Sequence, residues 1–237
     1  MPQEYSELES LEVLRLGGQE LVGSVPAEYN KLKQLRVLDL AENNLEGYIP
    51  PLLTRLDHLE ELDLSSNRLQ GPLIEEIGNM RSLRVLRLHN NRFTGPVPVS
   101  LGNLSHLENV DLSSNELSGT IPDIFEDLNQ LFSLNLSNNY LSGNVPASLA
   151  SLSQLVILNL AGNTLAGSIL GQTASFLADV PFCDLSENDP SLCITSASQP
   201  ALHDLCAVAF QPDCGSDFGV WISGVHMEQL QQEVLVS

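Results

Sequence analysis

Catalysis needs a nucleophile, an acid or a base held against a partner, and the residues of this chain that could serve are dispersed. The five histidines, His58, His89, His106, His203 and His226, are scattered, and His58 and His106 share one position of a recurring pattern. No Ser-His-Asp or Cys-His grouping and no glycine-rich phosphate loop accompanies them. Asp39, Asp63 and Asp111 stand at positions expected to face solvent, so they do not form the desolvated acid/base pair that proton transfer needs. No acidic calcium loop is evident either. The expectation is a chain without catalytic residues, metal or cofactor.

The cysteines are the remaining reactive groups. All four, Cys183, Cys193, Cys206 and Cys214, lie after Asn163. An even count confined to one end suggests two disulfides and an oxidising compartment. Four cysteines allow three connectivities; Cys183–Cys193 with Cys206–Cys214 is the expected one, because both loops are short. Zinc is the competing reading, although the sequence has no C-x-x-C pair.

What must position these residues is a repeat. Asn43, Asn67, Asn91, Asn115, Asn139 and Asn163 are each 24 residues apart, with Gln19 in the same slot one period earlier. Leucines precede each in fixed phase, as Leu35, Leu38 and Leu40 precede Asn43. Seven units begin at Leu8, Leu32, Leu56, Met80, Leu104, Leu128 and Leu152. Such a period predicts a stacked solenoid rather than a globular enzyme domain. In V-L-D-L-A-E-N, residues 37–43, Leu38 and Leu40 point inward while Val37, Asp39 and Ala41 point out, which is the alternation of a strand. One strand per coil builds a parallel sheet. Each asparagine then lies in the turn after its strand, where its amide can satisfy backbone groups. The column holds the coil and is not a binding site.

The second half of each unit carries L-x-G-x-[IV]-P, as in Leu45, Gly47, Ile49 and Pro50 or Leu117, Gly119, Ile121 and Pro122. Glycine permits the reversal and proline fixes φ, so the convex side should be short extended pieces and single helical turns. Repeat three departs, with Pro72-Leu73-Ile74 where [IV]-P should fall, and repeat seven ends in Ile169-Leu170. With Ser118-Gly119 and Ser142-Gly143 added, the pattern resembles the plant-type, extracellular leucine-rich repeat over about residues 2–170. The resemblance implies an α/β right-handed horseshoe, with a parallel concave β-sheet and a short 3-10 or irregular convex side. Residues 1–170 are read as the repeats and 171–237 as a cysteine-containing C-terminal cap and tail.

Outward positions form columns with one member per coil. One reads Glu12, Arg36, Glu60, Arg84, Glu108, Phe132, Val156, alternating in sign over five coils. Another reads Arg15, Asp39, Asp63, Arg87, Asp111, Asn135, Asn159, and a third Gly17, Ala41, Ser65, His89, Ser113, Ser137, Ala161. A cross-strand ion-pair ladder accounts for the alternation. Arg84, Arg87 and His89, on one coil, could alternatively form a basic spot for an anionic group. The ligand-binding candidates are Glu61, Val85, Arg87, His89, Asn109, Asp111, Phe132 and Ile157, several of them departures from the common D-L-S-S-N background. Phe132 is the aromatic anchor among them, with packing against Val156 as its structural alternative.

Two N-x-[ST] sequons, at Asn103 and Asn135, are candidate glycosylation sites. Asn103 lies between repeats, where a glycan is harmless; at Asn135 it would block the C-terminal part of the concave face. Beyond Leu170 the period is lost. There Asn188 and Leu192-Cys193 match part of the family's C-terminal cap, a cover that the last leucines need. Phe218, Trp221 and Ile222 could fold back on that cap, and Met227, Leu230 and Val234 have helical spacing.

Charge and register bound the partners. All ten Lys and Arg lie at or before Arg92 in a chain of formal charge −20, so a nucleic-acid partner is not expected. No stretch has the length and hydropathy of a membrane span. The start, MPQEYSELES, lacks the basic and apolar regions of a signal peptide. Pro2 falls 24 residues before Pro26, in the proline slot of a preceding repeat. The expectation is a piece of a longer extracellular or cell-surface protein, with a cytoplasmic repeat scaffold as the alternative. What the resemblance implies is a non-catalytic recognition module of receptor-like type, in signalling or defence, with a protein or peptide ligand on the concave face and a co-receptor as a further partner. The other classes are a secreted inhibitor of the polygalacturonase-inhibiting type and an ice-binding or structural repeat, the last disfavoured by the charge alternation.

Overall fold

The computed structural model describes residues 1–169 and 171–194. The 24-residue units become coils one to seven. Each contributes one strand to a concave parallel sheet: Val13–Arg15, Val37–Asp39, Glu61–Asp63, Val85–Arg87, Asn109–Asp111, Ser133–Asn135 and Ile157–Asn159. Register is kept at the period, Val37 opposite Glu61 and Val85 opposite Asn109. Leu38, Leu62, Leu86 and Leu158 point into one continuous leucine-rich core and are fully buried. That is the expected alternation, and it leaves the intervening residues on the concave side.

The asparagine column holds the coils together. Asn67 Nδ2 donates to the Leu40, Leu64 and Ser65 carbonyls, and its Oδ1 accepts from Leu45 N–H. Two of these four partners belong to the preceding coil, so each side chain fastens its own turn and its neighbour. The residue before the asparagine takes positive φ, 54° at Glu42 and 53° at Ser114. This turn aims the amide inward.

Convex pieces follow from the second half-repeat. The strands Val22–Gly23, Asn44–Gly47, Arg68–Pro72, Arg92–Gly95, Glu116–Thr120, Tyr140–Gly143 and Thr164–Leu165 form a second parallel sheet, more regular than isolated extended pieces. Single 3-10 turns come next, such as Ala27–Lys31, Pro51–Arg55 and Glu75–Asn79, each entered from an extended residue. The departure in repeat three is absorbed. Ile74 takes the extended conformation of the missing proline (φ −84°, ψ 142°), and Leu73 fills the buried slot of Ile49 and Val97.

The coil does not end at Leu170. Helix Gly171–Asp179 replaces the 3-10 turn, packs on Ala147–Ser151 and buries Thr173, Ala174 and Leu177. The strand Phe182–Asp184 then pairs in parallel with Ile157–Asn159 as the eighth member of the concave sheet. Asn188 repeats the ladder, accepting from Leu165 N–H and donating to the Leu160, Leu185 and Ser186 carbonyls. The expected loss of period is thus corrected to an eighth coil, whose longer convex helix shifts the asparagine by one residue. The expectations for Cys206, Cys214, His203, His226, Phe218, Trp221, Ile222 and the helical spacing from Met227 concern residues outside those described.

Pro2 and Pro26 occupy equivalent positions, each leading into a 3-10 turn. Tyr29, fully buried, donates its hydroxyl to the Pro2 carbonyl at 2.9 Å. Burial, reinforced by Tyr5 and Glu4, pushes this hydroxyl up to about 12. A proton held more tightly in the fold means that the contribution is whole below the ordinary value of 10.0 and is lost as pH rises through about 12. Tyr29→Phe should cost about 1 kcal/mol at neutral pH. It should also remove the last tyrosinate absorbance step of an alkaline titration; a titration unchanged by the substitution would refute the assignment.

Candidate functional site

The concave sheet presents its outward residues in register, and the rim column pairs as its alternating signs suggest. Arg36 Nε and Nη2 donate to the two Glu60 carboxylate oxygens at 2.9 and 3.0 Å, and Arg84 Nε donates to Glu108 at 2.9 Å. The Arg36 hydrogen bonds hold the Glu60 carboxyl below the usual carboxylate range, with burial opposing them.

The basic spot expected from Arg84, Arg87 and His89 is neutralised. Arg87 Nη1 lies 2.9 Å from Glu61 Oε1 and 3.5 Å from Asp63 Oδ2, and its side chain is only 16% exposed. Glu61 also meets Arg15, two coils back, at 3.4 Å, so its carboxylate spans coils one to four. With Arg84 taken by Glu108 and His89 Nδ1 3.7 Å from Asp111 Oδ2, all three side chains face carboxylates rather than an open anion site.

The aspartates hold their own turns. Asp63 Oδ1 accepts from the Ser65 N–H and hydroxyl, and Asp111 Oδ1 from those of Ser113. Asp39 Oδ1 accepts from Ala41 N–H. The expectation that these groups are solvated fails at Asp111, which is buried. Asn135 repeats the arrangement with Ser137 and donates Nδ2 to Asp111 Oδ2 at 3.2 Å. The Asn135 sequon is corrected on this ground: a glycan would have to be attached at the very nitrogen that is buried against Asp111. Asn103 is exposed at the end of its 3-10 turn.

Of the remaining candidates, Val85 and Phe132 are half-buried, whereas Asn109 and Ile157 are fully buried despite lying on the concave side. The structure places all eight candidates on this face in coils three to seven. Ser133, beside Asn109, is not evident from the sequence pattern; its signal was a polar residue in the column Val13, Val37, Glu61, Val85, Asn109, Ser133, Ile157, where the other polar members, Glu61 and Asn109, were already candidates. Among the described residues no group of three His, Cys, Asp or Glu could hold a metal ion. No helix among them is long and apolar enough to cross a membrane.

Coils, asparagine ladder and concave sheet coincide with a family pattern, and the model of the leucine-rich repeat region matches residues 1–166. The chain belongs to the leucine-rich repeat family. Among solved structures, this leucine-rich repeat protein is similar to the plant peptide hormone receptor RGFR1 in complex with RGF2, at 32% identity over 83% of this chain and 34% of that one, with a TM-score of 0.75. It is similar to the Arabidopsis receptor kinase HAESA in complex with the peptide hormone IDA and the co-receptor SERK1, at 30% identity over 82% and 36%, with a TM-score of 0.77. A plant ice-binding protein matches at 30% identity over 84% and 70%, with a TM-score of 0.61. The chain spans about a third of the length of the two receptor structures. Among curated proteins none matches it.

Proposed function

We propose that this chain is a non-catalytic recognition module of receptor-like type that binds an extended peptide along its concave face. The observation carrying the reading is the similarity, over more than four-fifths of this chain, to receptors solved with peptide hormones. The SERK1-containing complex supports a co-receptor as a further partner. Glu61, Val85, Arg87, His89, Asn109, Asp111, Phe132 and Ile157 are the proposed ligand-facing set. In this set Arg87 acts as an internal brace for Glu61 and Asp63, and Phe132 is the half-exposed aromatic that a ligand can cover.

The same relatives support an extracellular or cell-surface location. It is supported by Cys183, which is disulfide-bonded, and the glycan site proposed is Asn103. The proposed division keeps the repeats up to residue 169 and takes the eighth coil, within residues 171–194, as the base of a C-terminal cap.

Selection of a displayed random dodecapeptide library on the whole chain tests the reading. Selected peptides should bind with about micromolar Kd or better and lose at least about tenfold on Phe132→Asp, at an unchanged melting temperature. A selection without binders, or binders indifferent to Phe132→Asp, would sink it. The ice-binding relative favours a second reading, which ice-recrystallisation inhibition by the same protein would reveal.

A further inference from the structure

The outward column at the first residue of each concave strand contains two polar side chains that have no hydrogen-bond partner in the fold. Parallel register aligns Val85, Asn109, Ser133 and Ile157 on adjacent strands. Asn109 and Ser133 are both fully buried, and Asn109 Oδ1, Asn109 Nδ2 and Ser133 Oγ have no hydrogen-bond partner. Just past each strand, by contrast, Ser113 and Ser137 have their hydroxyls bonded to Asp111 and Asn135. His89 Nδ1, one coil before Asn109, is also buried and has no hydrogen bond, with Asp111 Oδ2 3.7 Å away. Buried polar atoms are nearly always paired, and a cluster of unpaired ones calls for a cause. Valine, the choice at Val13, Val37 and Val85, would fill the same column without that penalty.

We propose that Asn109 and Ser133 are a subsite for the main chain of the bound peptide. This rests on the peptide reading above and specifies what that face recognises. A primary amide offers one donor and one acceptor, the complement of a single peptide unit: Nδ2 donates to a ligand carbonyl and Oδ1 accepts a ligand N–H. Ser133 Oγ, one strand away at a spacing of about 4.8 Å, takes the neighbouring main-chain group. Val85 and Ile157 flank the pair with apolar surface. The pair is shut off from solvent, so engagement requires the outer side chains of the face to part. Unpaired polar groups at a recognition site are a known exchange of stability for function.

Asn109→Val and peptides from the library selection, each N-methylated at one position, test the assignment. Asn109→Val should raise the melting temperature while weakening peptide binding by about tenfold, which is about 1.4 kcal/mol. One N-methyl position should weaken binding to the original protein equally and have no further effect on the variant, as expected when both changes remove one interaction. A lowered melting temperature would assign Asn109 to the fold and overturn the proposal. Binders lost on Phe132→Asp but indifferent to Asn109→Val and to every N-methyl group would overturn it while leaving peptide recognition standing. A selection without binders would remove both.

Discussion

Asn115→Ala should lower the unfolding free energy by about 3–5 kcal/mol, among the largest effects available to a single substitution in this chain. Asn115 accepts from Phe93 N–H at 3.0 Å and donates to the Leu88, Leu112 and Ser113 carbonyls at 3.1 Å each. Alanine leaves a buried amide and three carbonyls without this partner, where each orphaned buried group costs about 1–3 kcal/mol. Two of those groups, on Phe93 and Leu88, belong to coil four, so the loss falls on the interface between coils. In a solenoid stability is a sum of coil and interface contributions. A weakened central interface should therefore broaden the urea transition and reduce its m-value as well as its midpoint. Asn115→Asp should be no milder, because a carboxylate cannot donate to the three carbonyls and would bury a charge. A loss below about 1 kcal/mol in both variants would show that the ladder is ornamental. The contrast with Asn109 is the sharper point. The same residue type, six positions earlier, has a side-chain amide without a hydrogen-bond partner, and its replacement by valine should stabilise.

That contrast could be read only partly from the sequence. Periodicity alone distinguishes Asn115, in the ladder, from Asn109, on the concave face, because the ladder is a local geometric demand repeated in every coil. The rim pairs Arg36–Glu60 and Arg84–Glu108 were legible for the same reason, since each partner is one period away. Arg87 was not. Its nearest carboxylate is Glu61, displaced by 26 residues rather than 24, a diagonal reach that depends on side-chain length and on Arg15 drawing Glu61 from the other side. Burial of Asn109, Asp111 and Ile157 was equally hidden, because alternation assigns a side chain to a face and says nothing about what closes over it. Coil eight escaped because Gly171–Asp179 lengthens the convex segment. Leu185 and Asn188 nevertheless kept the L-x-x-N spacing that could have announced it.

Gly78 is the position where packing and intrinsic preference make opposite predictions. It lies in the 3-10 turn Glu75–Asn79, outside the L-x-G-x-[IV]-P glycines, so the motif gives it no role. In a helical turn alanine is ordinarily better than glycine by about 0.5–1 kcal/mol. Here an added Cβ would lie 2.6 Å from both the Ser100 Cβ and the Ser100 backbone oxygen of the next coil. Ser100 cannot easily retreat, because its N–H and that of Val99 donate to the Glu75 carboxylate on the same turn as Gly78. Relief must therefore come from parting coils three and four along their convex edge. Gly78→Ala should cost about 1–3 kcal/mol, and Gly78→Val more, since a branched side chain adds overpacking to the contact. Gly102 is the graded control, with a Cβ 3.0 Å from Ile124 Cβ and 3.1 Å from its oxygen, and Gly102→Ala should cost less than Gly78→Ala. Urea denaturation of the three variants decides between the effects. If Gly78→Ala is neutral or stabilising, helical preference has won, and the convex turns are loose enough to slide. If the costs fall in the order of the contacts, the glycines at these turns set how closely successive coils approach, and with that the spacing of the side chains across the concave face.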